Sequence, residues 1–117
     1  MRVTCMSNQI VNAHNIIGIN VESYQKEKLG KVIALMLDKF AGKVDYIVIS
    51  LGSFLGINNK LLAMPWSIFS YNEERNCFLL HIPKEKLNNC PSFDKNTWPD
   101  MSNVIWKTMI QDYYEHE

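Results

Sequence analysis

Residues 32–51 read VIALMLDKFAGKVDYIVISL, and their reading as a β-hairpin sets the frame for everything on either side. Two short runs, Val32–Leu37 and Val44–Leu51, are rich in apolar and β-branched residues, the types that suit a pleated, half-buried surface. Between them stands DKFAG, a five-residue connection ending in glycine. A type I turn at Asp38 followed by Gly42 with positive φ closes such a hairpin, because only glycine enters that backbone region without a steric cost.

Working outward, IIGINV (Ile16–Val21) reads as an earlier strand, separated from the hairpin by the polar ESYQKEKLG. Downstream, Gly52 and Gly56 stand four apart in LGSFLGINNKLLAMPW, residues 51–66. That spacing is not a ligand cradle. A phosphate loop needs Gly-Lys-Ser/Thr at a helix start, and a dinucleotide fingerprint needs three glycines in fixed order after a strand. The two glycines are expected to bend the chain toward a strand at Lys60–Met64, which Pro65 ends because it offers no N–H to a ladder. CFLLHI (Cys77–Ile82) is a further strand after the polar turn NEERN. The two central segments do not alternate cleanly, which suits either a small closed barrel or a sheet covered on both faces.

The texture then changes: all five glycines lie between residues 18 and 56, whereas three of the four prolines lie beyond residue 80. Pro83 is expected as the first residue of a short helix through KEKLNN, since its fixed φ suits that position. Residues 88–100, NNCPSFDKNTWPD, read as a linker pinned to a surface by Phe93 and Trp98. In DMSNVIWKTMIQDYYEHE, Asp100 or Ser102 is a candidate N-cap. Ile105, Trp106, Met109, Ile110 and Tyr113 recur at offsets of three and four, one apolar face of a helix over Met101–Glu115.

Composition narrows the function classes. Of the 117 residues, 47% are hydrophobic and 21% charged, ordinary for a globular chain and contrary to intrinsic disorder. One domain of this length buries roughly two-thirds of its extended surface. Lys+Arg and Asp+Glu are 12 each, so the net charge is zero and no overall electrostatic pull toward nucleic acid or anionic lipid exists. The basic cluster KEKLGK reads first as a solvated turn, with an RNA or acidic-partner contact as the lesser reading. The longest apolar run, Val32–Leu37, is far short of the roughly 20 residues of a spanning helix, and no secretory leader is read, so a cytoplasmic location is expected. Cys5, Cys77 and Cys90 fit free thiols in a reducing compartment. His14, His81 and His116 lack metal-ligand spacing. Glu73 and Glu74 read as a solvated turn, and no Gly-x-Ser-x-Gly elbow supports a hydrolase. No catalytic residue, metal site or cofactor is therefore expected.

IIGINV, EKLGKV with Leu29 and Gly30, LDKFAGKVDYIVIS, LGSFLGINNK, AMPW and CPSF together resemble the PRC-barrel family, named for the cytoplasmic domain of the photosynthetic reaction centre H subunit. The tail FDKNTWPDM with Trp106, Tyr113 and Tyr114 looks like an extension of stand-alone bacterial members. The resemblance implies a mainly β fold: a small barrel of about five or six strands with a short helix and a C-terminal α-helix. It divides the chain into a lead at 1–15, a barrel domain at 16–93 and a helical extension at 94–117. Gly30, Gly42, Gly52, Gly56, Pro65 and Trp66 are its fold fingerprint.

Family members act mainly as docking modules, and a related domain in a ribosome maturation factor supports binding to a ribosomal protein. A non-enzymatic protein-interaction module is thus the expected function, with an RNA-associated or ribosome-assembly accessory as the alternative. Trp98, Trp106, Met109, Tyr113 and Tyr114 are the expected interface, each large ring burying on the order of 150–250 Å² if covered. The helix carrying them packs either on its own barrel or on that of a second copy, the latter giving a homodimer. Trp66 is expected in the core, where truncation to alanine costs about 3–5 kcal/mol.

Overall fold

The computed structural model describes residues 9–52 and 60–115. Seven strands form one sheet: β1 (Asn20–Glu22), β2 (Lys28–Asp38), β3 (Lys43–Leu51), β4 (Lys60–Pro65), β5 (Phe69–Asn72), β6 (Cys77–Leu80) and β7 (Phe93–Asp94), followed by the helix α1 (Val104–Glu115). Their order across the sheet is β5-β6-β1-β2-β3-β4-β7. Every neighbouring pair is antiparallel except β1 with β6, which run parallel. The mainly β class and the C-terminal helix stand as expected; among the described residues the strands number seven rather than five or six, and they form an open sheet with β5 and β7 at its edges rather than a closed barrel.

The long hairpin is as the opening stretch predicts. The Asp38 carboxylate accepts the N–H groups of Phe40 at 3.0 Å and Ala41 at 2.9 Å, and Gly42 closes the turn with φ +73° and an N–H to Asp38 O at 2.8 Å. The strands run further than their apolar cores: β2 begins at Lys28, where Leu29 and Gly30 are buried between exposed Lys28 and Lys31, and Val32 is buried after them. Val32 then pairs with Ile49 and Ala34 with Val48, so Ile33 is the extra residue of a bulge.

Elsewhere the elements shift. The expected strand Ile16–Val21 is instead a turn over residues 16–18, after the helical turn Ala13–Asn15 and with Gly18 at φ +92°, and then the start of the short β1. β5 was not anticipated, because FSYN is short and half polar; the NEERN turn joins it to β6 as a hairpin, with Asn76 at φ 48°. The expected short helix through KEKLNN is present as a 3-10 helix at Lys84–Asn89, which Pro83 precedes in extended conformation rather than opening it. Inside the expected linker, Phe93 pairs with Leu61 as β7. The N-cap of α1 is Asn103, neither Asp100 nor Ser102: its Oδ1 accepts the Ile105 N–H at 2.7 Å.

Why β3 and β4 fail to alternate is now clear. Residues 46–49 and 61–65 are all buried. Because side chains alternate along a strand and paired residues share a face, Ile47, Ile49, Leu62 and Met64 lie on one side, and Tyr46, Val48, Leu61, Ala63 and Phe93 on the other. α1 packs along β4, and its Trp106 ring meets Phe93 at 5.9 Å, edge to face. Both faces of the sheet centre are therefore covered. Trp106, Ile110 and Tyr114 join the strand residues in a single core cluster.

Candidate interaction surface

The fingerprint residues occupy distinct structural roles. Gly30 is the tight one: a Cβ there would lie 1.8 Å from the Ser50 carbonyl oxygen on the neighbouring strand. Gly42 is the conformational one, as above. The Gly52 N–H donates to Leu29 O at 2.9 Å, extending the β2–β3 pairing past the strand end. Gly56 lies outside the described residues, although the chain does reverse between Leu51 and Lys60, since β3 and β4 are antiparallel. Pro65 is the last residue of β4 and opens into the turn Trp66–Ile68 that leads to β5. Trp66 is not a core residue. It is 42% exposed and leans edge-on against Phe78 at 5.8 Å, alongside Tyr71 at 5.5 Å from the same ring. The turn that follows Pro65 carries its side chain out of the interior.

The expected interface residues divide in two. Trp106 and Tyr114 are 8% and 3% exposed and hold α1 onto its own sheet, so they are structural. Both are incompletely satisfied: the Trp106 indole N–H and the Tyr114 hydroxyl are buried without a hydrogen-bond partner. Burial, with Cys90 as neighbour, pushes the Tyr114 phenol well above its ordinary range. Tyr113 lies at the margin. Its hydroxyl donates to the Lys86 carbonyl, and the Lys86 ammonium sits 5.1 Å from its ring centre, which ties α1 to the Lys84–Asn89 turn. Burial raises its pKa as well. Cys90, half-buried beneath these rings, donates its thiol to Leu87 O at 3.1 Å. Trp98 stacks at a tilt on Phe93 at 5.0 Å and donates its indole N–H to Lys95 O at 2.9 Å, as pinning of residues 88–100 requires.

Of the five, Met109 and, at its margin, Tyr113 belong to an open apolar surface, together with Val104 and with Ile105, which the three-and-four spacing placed on the buried face. Val104 is 71% exposed and Ile105 75%, so Ile105 is on the outside of α1, not on its buried face. Seven of the twelve helix residues are apolar or aromatic, more than one face can bury. Only the sheet selects which third is covered. Trp106, Ile110 and Tyr114 at strict four-residue spacing meet it, and Val104, Ile105 and Met109 are left over. These three, with Pro91, Asn89 and Tyr113, line an open, mainly apolar groove of about 830 Å³ between α1 and the segment after the Lys84–Asn89 turn. Scattered exposed apolar residues are ordinary on soluble proteins, but a contiguous stripe beside a groove marks a contact surface.

A second apolar prominence is the β2–β3 turn, where Phe40 is 93% exposed under the Lys39 ammonium and Leu37 stands beside it. It faces residues 99–102 and Lys107 across a smaller cleft of about 550 Å³. Among the described residues no group of three or more His, Cys, Asp or Glu side chains could hold a metal ion, and no helix is long and apolar enough to cross a membrane. Glu22 with Arg75 is an ion pair at the β1–β6 junction, and among the described residues Ser70 Oγ and His81 Nε2 lie 2.6 Å apart on the exposed side of the β5–β6 hairpin.

Compared with known proteins, the chain matches the family model described as PRC-barrel domain over residues 8–87. No curated protein matches it.

Proposed function

The chain belongs to the PRC-barrel domain family, and from that membership we propose that it works as a non-enzymatic docking module whose contact surface is the outer face of α1. The observation that carries the reading is the unpartnered stripe Val104–Ile105–Met109 lying along a groove, on a helix whose other apolar stripe is fully used within the chain. The sheet supplies a platform, with Gly30 fixing the close approach of β2 to β3 and Gly42 the turn between them, and α1 supplies the surface. Of the expected interface residues, Met109 and Tyr113 remain in it as groove lining, Trp98 stacks on Phe93 instead, and Trp106 and Tyr114 position the helix from beneath.

Burying a stripe of this kind favours association at about 25 cal/mol per Å² of apolar surface, and a few central side chains carry most of that energy. The reading predicts that a photo-crosslinker at position 105, introduced in the native cell, captures a defined protein partner, whereas one at the exposed Tyr24 in the β1–β2 turn does not. Nuclease treatment before capture distinguishes the RNA-associated alternative: loss of the captured species on nuclease treatment favours that alternative. Equal capture from both positions would rule out α1 as the contact surface.

A further inference from the structure

The geometry points to a second contact surface at the free edge of β5, which takes an extended, basic peptide segment as an added strand and sets its cations beside Trp66, Tyr71 and the Glu73–Glu74 turn. This surface shares no residue with the α1 groove, so it stands or falls independently of the docking reading above.

The backbone comes first. β5 is one edge of the sheet and pairs on its inner side with β6. The Ile68 carbonyl accepts the His81 N–H at 2.9 Å, which makes Ile68 and His81 a hydrogen-bonded pair, and such pairs alternate with open ones along an antiparallel ladder. Phe69 and Tyr71 therefore turn their backbone groups away from β6. The Phe69 N–H is taken by Trp66 O. The Phe69 carbonyl and both Tyr71 groups are left facing outward, and no strand among the described residues pairs with that side. FSYN holds neither a charged residue nor a proline, the residues by which exposed edges are commonly closed. An extended backbone satisfies such an edge.

The neighbouring side chains select what the added strand carries. Trp66 and Tyr71, both half-exposed, rest edge-on against the buried Phe78 ring. The Tyr71 hydroxyl donates to Asn76 Oδ1, which ties the ring to the β5–β6 turn. That turn presents Glu73 and Glu74, both exposed. Its one cation, Arg75, is committed to Glu22, and neither Glu73 nor Glu74 has an ion-pair partner among the described residues. Elsewhere the chain sets its own lysine over a ring: Lys39 over Phe40 at 5.6 Å and Lys86 over Tyr113 at 5.1 Å. No described cation lies over Trp66 or Tyr71, although tryptophan is the ring that attracts a cation most strongly.

Backbone groups without a strand, rings without a cation and carboxylates without a counter-ion thus meet at one edge. An extended segment bearing arginine or lysine at alternate positions answers all three, because every second side chain of a strand faces the same way. A second copy pairing through its own β5 answers only the first. It brings another Glu73–Glu74 pair, and its Arg75 is already engaged.

Fluorescence anisotropy of the full chain with a labelled octapeptide of alternating arginine and threonine tests this. Two control peptides accompany it, one with glutamate in place of arginine and one N-methylated along its backbone. The expected result is saturable binding of the arginine peptide alone. Glu73→Gln/Glu74→Gln weakens that binding about three- to tenfold, the range of two exposed ion pairs, and added salt weakens it likewise. Both positions are exposed, so the fold is retained. Trp66→Ala, checked for folding by circular dichroism, weakens it about two- to fivefold, the size of an exposed cation–ring contact. Equal binding of the glutamate peptide overturns the inference, as does arginine-peptide binding indifferent to the glutamate substitutions or to a folded Trp66→Ala. Binding that survives N-methylation overturns the added strand, and no binding up to about 1 mM peptide overturns the site. A dimer in sedimentation that the arginine peptide leaves intact assigns the edge to a second copy and overturns the inference as well.

Discussion

Glu22 on β1 and Arg75 in the β5–β6 turn form a two-pronged ion pair, Nε to Oε1 at 2.8 Å and Nη2 to Oε2 at 3.0 Å, across 53 residues of sequence. The pair ties the sheet's one parallel junction to the hairpin outside it. The Glu22 carboxylate is held below its ordinary value of 4.5, first by the Arg75 hydrogen bond and then, against the penalty of burial, by the same cation's charge.

A carboxylate whose pKa is lower in the folded chain stabilises it above the ordinary value, and that contribution is lost as pH falls through the depressed one. Glu22→Gln is therefore expected to melt below wild type near neutral pH, with the gap closing below about pH 4. Thermal melts across that range check it, and a gap independent of pH would show that the pair contributes through packing alone.

Two glycines answer to different physics. Gly30→Ala drives a methyl group into the Ser50 carbonyl at 1.8 Å, where only backbone can give way; the expected loss is about 3 kcal/mol or more. Gly42→Ala meets nothing within 4 Å and is strained only by its φ of +73°, a cost of about 1–2 kcal/mol. Urea denaturation of both variants should rank them in that order, and the reverse order would mean that turn geometry outweighs strand contact here.

Lys26 occupies the left-handed region, φ 66°, in the turn between β1 and β2 that Ser23 organises by accepting the N–H groups of Gln25 and Glu27. Relief of that backbone cost makes Lys26→Gly stabilising by up to about 1 kcal/mol. A lower melting temperature in this variant would show that the lysine side chain contributes more than its backbone costs.

Trp106 and Trp66 separate a core ring from a surface ring. Trp106→Ala is expected to cost about 3–5 kcal/mol, loosening α1 from Phe93, whereas Trp66→Ala, at a half-exposed site, costs about 1–2 kcal/mol. Chemical denaturation midpoints decide it: equal losses would place Trp66 back in the core.

Tyr114 buries a hydroxyl with no partner. Removing an unsatisfied buried polar group returns its desolvation cost, so Tyr114→Phe is expected to be neutral or more stable by about 1 kcal/mol. A clear loss of stability would reveal that the neighbouring Cys90 sulfur serves the hydroxyl as a real acceptor.

The sequence by itself determined the local devices: the Asp38–Gly42 turn, the end of β4 at Pro65, the terminal helix and the mainly β class. Each depends on a backbone preference or a repeat that acts within a few residues, and the ordered set of such devices is what a family resemblance reads. β5 escaped because its pairing with β6 comes from a partner across a turn and not from its own four residues. Only the tertiary structure decided which side chains are free. Ile105 and Trp106 are adjacent in sequence and equally apolar, yet β4 and Phe93 cover one and leave the other in solvent. Burial belongs to pairs of surfaces, and a helix with more apolar residues than one face can hide carries no local signal for which of them meets the sheet.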